Sequence, residues 1–205
     1  RIPAAIGLDE AAPLLCAGIT TFSPLRRFGA GPGKQVAVIG LGGLGHMAVK
    51  LAAAMGAEVT VLSRSDAKAD DATRLGAAEF IATADPAALK AQRSRFDLIV
   101  NTVSADLDMR TYLRALKPLG ALVNVGLPTN AIQVPPFALV GGSKSLAGSA
   151  IGGIPATQEM LDFCASHGLG ADIEKKIADA VDEAYDRVVA GQVRYRFVID
   201  TATIC

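Results

Sequence analysis

The sequence predicts an α/β fold, a doubly wound parallel sheet with helices packed on both of its faces. Three observations predict it. Short apolar runs are too continuously hydrophobic to leave one face in water, helical patterns separate each run from the next, and glycines stand where those helical patterns stop. Parallel strands joined by right-handed crossovers then wind outward in both directions from a central strand.

In chain order, residues 9–28 read as a pair of helices with Pro24 at the break, because proline removes a backbone donor and crowds the preceding turn. Strand 36–39 follows, then helix 44–55 stopped by Gly56, strand 58–62, helix 65–75 stopped by Gly76, strand 79–82, helix 86–93 and strand 96–100. Helix 107–116 ends at Pro118 and Gly120, and strand 121–125 closes the alternating series. Beyond it lie a strand near 145–149, a helix over 156–167, and a tail at 173–199 that reads strand, helix (179–190, stopped by Gly191) and strand.

A chain of 205 residues can bury one core of ordinary size. Its 20 Lys and Arg balance 20 Asp and Glu, so no net field argues for nucleic acid or an anionic membrane as partner. Apolar stretches such as 11–19 and 134–142 are interrupted by Pro or Gly and fall short of the ~20 residues a bilayer span requires. Cysteines at 16, 164 and 205 show neither disulfide-framework nor zinc-finger spacing, which points to a reducing cytoplasm. Arg1-Ile2-Pro3 reads as mid-chain sequence without a signal peptide, so a truncated or proteolysed product is expected.

Directly after strand 36–39 stands Gly40-Leu41-Gly42-Gly43-Leu44-Gly45, a G-x-G-x-x-G that runs straight into a helix. The motif alone can be a plain glycine-rich turn; the strand–turn–helix setting makes it a dinucleotide-binding, or Rossmann, fingerprint. Gly40 permits the tight turn, Gly42 lets backbone approach a pyrophosphate, and Gly45 allows close helix–strand packing, while the free amides and the helix dipole attract phosphates. At the end of the second strand, where NAD sites carry a carboxylate for the ribose 2′-hydroxyl, the chain has Ser63-Arg64-Ser65, with Lys68 one turn on. Hydroxyls and cations suit a 2′-phosphate that a carboxylate would repel, so NADP(H) is the expected cofactor. The competing reading is a solvated helix start capped by Ser65 or Asp66.

Further segments carry a resemblance. Ala11-Ala12-Pro13-Leu14-Leu15-Cys16-Ala17-Gly18-Ile19-Thr20, the glycine loop with His46-Met47, Asn101-Thr102-Val103, Val125-Gly126-Leu127, Ala147-Gly148-Ser149-Ala150-Ile151-Gly152-Gly153, Glu159-Met160-Leu161-Asp162-Phe163-Cys164 and Val193-Arg194-Tyr195-Arg196-Phe197-Val198-Ile199-Asp200 together resemble the cinnamyl-alcohol-dehydrogenase branch of the zinc-dependent medium-chain dehydrogenases, above all its bacterial NADP-dependent aldehyde reductases. The resemblance implies three regions: 1–15 as a remnant of a GroES-like catalytic domain, 16–152 as the NADP-binding Rossmann domain, and 153–205 as a segment returning to the catalytic domain. It implies that Thr20, Thr102, Val103, Val125, Leu127, Ser149 and Ile151, with the Gly126 turn, lie at the nicotinamide end and that Arg196 lies near the cofactor.

The resemblance also implies that Cys16 is one thiolate ligand of a catalytic zinc; composition alone would make it a small buried residue. A catalytic zinc needs three protein ligands and an open position, and in the family the others come from an N-terminal domain that this chain lacks. His46 and His167 read as structural or exposed and do not replace them.

The implied function is hydride transfer between NADP(H) and a primary alcohol or aldehyde, zinc acting as Lewis acid in the intact enzyme and the chain as given being inactive. A non-catalytic NADP-binding module and a zinc-free quinone-reductase-like enzyme are the alternatives. A short-chain dehydrogenase is disfavoured, because none of Tyr112, Tyr185 or Tyr195 has a Lys four residues on. The strand near 145–149 implies a homodimer formed through the sheet edge.

Overall fold

The computed structural model describes Arg1–Ile204. Its centre is a six-stranded sheet built from β1 (Gln35–Ile39), β2 (Glu58–Ser63), β3 (Glu79–Ala82), β4 (Phe96–Asn101), β5 (Leu116–Asn124) and β6 (Ser145–Gly148), in the spatial order β3-β2-β1-β4-β5-β6. All five pairings are parallel. The strand order reverses between β1 and β4, the switch point at which open α/β sheets bind ligands.

Side chains alternate across the sheet, and both faces are buried. Val36 and Val38 of β1 join Leu98, Val100, Ala121 and Val123 in one core. Ala37 and Ile39 join Ile99 and Leu122 in the other. The first core is covered by α2 (Ile19–Arg27), α3 (Gly45–Ala54) and α8 (Ile154–Ser166), which contribute Phe22, Leu25, Met47, Leu51, Met160 and Leu161. The second is covered by α5 (Pro86–Lys90) and α6 (Met109–Ala115), through Leu89, Met109, Tyr112 and Leu113. Gly56 takes φ +88°, and its N–H and that of Ala57 cap the Ala53 and Ala52 carbonyls, which ends α3 where expected.

Three expectations change. Before α2 come α1 (Leu8–Pro13) and a π-helical turn (Leu14–Gly18), so the helical run is continuous and Pro24 sits inside α2 without breaking it. An interior proline costs ~3 kcal/mol, but burying Phe22 and Leu25 returns ~1.5–3 kcal/mol each, so packing wins. The pattern at 65–75 divides into a 3₁₀ turn (Asp66–Lys68) and α4 (Ala69–Arg74). The helix expected over 107–116 starts only at Met109, because the Asp108 carboxylate accepts the Arg110 N–H, and stops at Ala115. Here β5 begins at once: Phe96 pairs with Leu116 but Leu98 with Ala121, so Pro118 and Gly120 belong to an outward bulge opposite Asp97 rather than to a helix end.

The short α7 (Phe137–Val140) carries no clear periodicity in the sequence and was not expected. After α8, β7 (Ile173–Ile177), a 3₁₀ turn and α9 (Val181–Val189) lead to β8 (Arg196–Asp200), and β7 pairs parallel with β8 in a separate two-stranded sheet.

Candidate functional site

The glycine loop leaves the carboxyl end of β1 and enters α3 as expected. Gly40 has φ +88° and donates its N–H to Leu62 O at 2.8 Å, tying the turn to β2. A side chain on Gly45 would be driven onto the Gly40 carbonyl oxygen, which is the close helix–strand approach the motif demands. At Gly42 the opposite holds: nothing lies within 4 Å of where a Cβ would stand, so the loop backbone is open to an incoming group.

Behind this loop, His46 is fully buried in the first turn of α3. Its Nε2 accepts the Asp172 N–H (3.3 Å), so a neutral ring carries its proton on Nδ1 and donates it to Gly42 O (3.3 Å). Burial pushes the imidazole down to about 4, so the neutral form prevails near neutrality. Its ring stacks on Tyr195, centroids 5.0 Å apart. The Tyr195 hydroxyl donates to Asp71 Oδ2 at 2.8 Å.

Two carboxylates secure this arrangement. Asp172 receives Lys50 Nζ on Oδ1 and Arg74 on Oδ2, both at 2.7 Å. Asp71 receives Arg194 Nε at 2.8 Å and Arg74 at 3.3 Å. Burial alone would raise both carboxyls, but the hydrogen bonds from Lys50 and Arg74 to Asp172, and from Tyr195, Arg74 and Arg194 to Asp71, hold them below the ordinary range. The chain after α8 is thereby fastened to α3 and α4, under the loop.

At the carboxyl ends of β4 and β5, Asn101 is buried and donates from Nδ2 to Asn124 Oδ1 at 2.5 Å. Asn124 Nδ2 donates to Gly126 O at 2.5 Å, and Asn101 Oδ1 accepts the Val103 N–H. Thr102 Oγ1 donates to Ile39 O at 2.7 Å. These bonds set the backbone of 101–103 against 124–126, and a side chain on Gly126 would collide with the Val103 carbonyl. Val125 is buried, whereas Leu127 is 84% exposed. Ser149 follows β6, its N–H on Asn124 O, and Ile151 is exposed. Gly152 lies against Ile19 and Ser23, which brings the exit of β6 beside the helix that carries Thr20, itself buried.

At the end of β2, Arg64 and Ser65 are exposed and Ser63 is half-buried. Ser65 occupies the N-cap position of the 3₁₀ turn without making a side-chain cap bond, so the capping alternative leaves its hydroxyl uncommitted. Among the described residues Arg64 forms no ion pair. Lys68 is differently placed: its Nζ donates to Leu41 O at 2.7 Å and lies 5.6 Å from the Tyr195 ring centre, braced between the loop and the C-terminal segment.

A cleft of about 560 Å³ opens here. Gly42, Gly43, Leu44, Lys68, Thr102 and Arg196 line it, and α9, β8 and the residue before β8 form a largely apolar wall through Val188, Phe197 and Tyr195. Arg196 Nε donates to Gly43 O at 3.3 Å. The remaining candidate residues lie outside that lining, along the same carboxyl edge of the sheet. Asn124, Asp71, Asp172 and Tyr195 were not anticipated as parts of the site. A polar residue ending an apolar strand was the one signal that could have found Asn124; the other three have none, since their partners are far away in sequence.

Cys16 lies exposed in the π-helical turn rather than buried. Among the described residues no three His, Cys, Asp or Glu side chains gather where they could hold a metal ion. The described residues thus do not fit a zinc site by themselves. No described helix is long and apolar enough to cross a membrane.

Residues 43–166 match the family described as zinc-binding dehydrogenase. The NADP-dependent alcohol dehydrogenase C 1 of Mycolicibacterium smegmatis is 61% identical over 204 residues, covering 100% of this chain and 58% of the relative. Among solved structures, a cinnamyl alcohol dehydrogenase from Sorghum bicolor superposes with TM-score 0.95 at 47% identity, over 98% of this chain and 58% of that one. A CAD from Helicobacter pylori complexed with NADP(H) does so with TM-score 0.87 at 38% identity, over 98% and 57%. The chain spans a little over half the length of these relatives.

Proposed function

The chain belongs to the zinc-binding dehydrogenase family, and from that premise we propose that it is the NADP(H)-binding part of an oxidoreductase that interconverts a primary alcohol and an aldehyde. The observation that carries the reading is the open Gly42 backbone before the amino end of α3, with an Arg64 at the adjoining strand end that is exposed and has no ion-pair partner among the described residues. When bound, the cofactor supplies or accepts a hydride at the nicotinamide C4.

The chain's residues bind and orient it. Free amides at the amino end of α3 attract the pyrophosphate, and Arg196, already on Gly43 O, adds a cation beside it. Arg64, Ser63 and Ser65 hold the 2′-phosphate by charge-assisted and hydroxyl bonds. Lys68 positions the loop through Leu41 O. Thr102, Val103, Val125, Gly126, Leu127, Ser149 and Ile151 frame the nicotinamide end, with Thr20 behind them. We assign Cys16 as one thiolate of a zinc completed by residues outside this chain, so no step carried by the chain itself runs through the metal. That solitary cysteine also favours a second reading, an NADP-binding module without turnover.

The division at 16–152 and 153–205, a cytoplasmic location on the sequence grounds given above, and a homodimer through the β6 edge complete the proposal. Among the described residues β6 pairs only with β5, which leaves its other edge for a twofold mate.

Fluorescence titration of NADPH and NADH against the wild type and Arg64→Ala tests the cofactor reading. NADPH is expected to bind more tightly, and the variant to lose tenfold or more for NADPH alone, about the worth of one charge-assisted contact. Equal affinities in the wild type would overturn it.

A further inference from the structure

The cofactor cleft lies at the carboxyl ends of the strands. At their amino ends the fold gathers a different chemistry. Arg93 and Ser94 precede β4, Lys144 precedes β6, and Arg110 and Arg114, one turn apart on α6, face the same space, a cleft of about 440 Å³. An adjoining cleft of about 340 Å³ shares Arg93 and Arg114 with it and adds Lys90. Strands of five or six residues at ~3.3 Å per residue put this region roughly 15–20 Å from the glycine loop.

Five cations therefore surround two neighbouring clefts, and none of the residues lining either is acidic. In a chain whose charges balance overall, elsewhere the cations are largely matched: Lys50 and Arg74 on Asp172, Arg194 on Asp71, Lys117 on Asp97. Lys90, Arg93, Arg110 and Arg114 have no ion-pair partner among the described residues. Lys90 and Arg114 stand in the last turns of α5 and α6, where cations complement helix carbonyls; Arg93, Arg110 and Lys144 have no such reason to be there. Lys144 is anchored into the cleft by a 2.6 Å bond to Leu113 O. Burial and the nearby Arg93 guanidinium hold its ammonium below the ordinary lysine range. The opposite wall is apolar, formed by Pro118, Pro135 and the ring of Phe137, 80% exposed.

We propose that this basic cleft at the amino ends of the strands is a binding site, separate from the cofactor site, for a small organic molecule carrying two or more phosphate groups. The guanidinium pair on α6 offers bidentate bonds to one phosphate, Arg93 and Lys144 face a second, and Phe137 with the two prolines receives the organic part.

Calorimetric titration of the 205-residue chain tests it, with inorganic tripolyphosphate and ATP as probes, each with and without saturating NADPH. The expected result is one saturable site per chain that NADPH does not compete for, tighter for ATP than for tripolyphosphate because of the apolar wall, and weakened by salt. The double variant Arg93→Glu/Arg114→Glu should bind at least tenfold more weakly. Both side chains are exposed, so the fold should persist by circular dichroism. Arg110→Gln/Lys144→Gln, which reverses no charge, should also lose about tenfold. Arg26→Glu, whose arginine already pairs with Glu159, should change nothing. No saturable binding, full competition by NADPH, or unaltered affinity in both double variants would overturn the site.

Discussion

Acid should destabilise this protein well before its carboxylates protonate, and His46 is the reason. Its pKa falls from 6.5 in the unfolded chain to about 4 in the folded one, chiefly through burial, with the Asp172 carboxylate and Gly42 carbonyl opposing and Lys50 and Arg196 assisting. Between those values the unfolded state binds a proton that the native state refuses, so stability is full above pH 6.5 and falls as pH drops towards 4. A gap of about 2.5 units at 1.36 kcal/mol each sets a ceiling of about 3 kcal/mol, of which about 2 should be lost between pH 7 and 4.5. Asp71, Asp97 and Asp172 have lowered pKa values, so their contributions are lost only below about 3.8, outside that window. Urea unfolding at half-unit steps of pH reads the slope. His46→Gln supplies the control, since an amide can still donate towards Gly42 O and accept from the Asp172 N–H but does not titrate. Wild-type stability that stays flat from pH 7 to 4.5, or an equal slope in the variant, would refute the buried neutral imidazole.

Other outcomes follow from the same geometry. Gly45→Ala places a methyl on the Gly40 carbonyl; an overpacking cost of ~1–3 kcal/mol lowers Tm by roughly 3–10 °C, and NADPH affinity should fall with it, while an unchanged Tm would show that the loop yields. Metal analysis after dialysis should find far less than one zinc per chain, because one thiolate cannot hold the ion; a full equivalent together with aldehyde turnover by these 205 residues would contradict that. Light scattering should find a discrete dimer, lost when Gly148→Pro removes a donor from the outer edge of β6, since the Ser149 N–H faces Asn124 O and its neighbour's N–H therefore faces away from β5; a stable monomer at tens of micromolar would refute the edge contact.

The central sheet was legible because its strands are buried on both faces and its crossovers carry helical periodicity, signals that need no distant partner. The glycine loop was legible for a related reason, since Gly40, Gly42 and Gly45 act on their own neighbours. Pro24 misled because its local cost is outweighed by the burial of Phe22 and Leu25, which depends on the sheet beneath. Pro118 and Gly120 looked like a helix stop and are a bulge, because the pairing of Leu116 with Phe96 is decided by the neighbouring strand. Behind the loop, nothing near His46 in sequence announces Asp172, and nothing near Asp71 announces Tyr195; long-range charge and hydrogen-bond matching leaves no periodic trace.

Those distant bonds bear on how the site comes into being. The ties Arg74–Asp172, Arg194–Asp71, Tyr195–Asp71 and Asp172–His46 span 98, 123, 124 and 126 residues. Contacts of such separation form late, after the local units that must be brought together. During synthesis, β1, the glycine loop and α3 emerge with the His46 ring facing water, and it acquires its covering from Asp172 and Tyr195 only when residues 170–196 return. The glycine loop of the nascent chain thus lacks its support until the last quarter has docked, and removing that quarter should unsettle the loop more than 120 residues upstream.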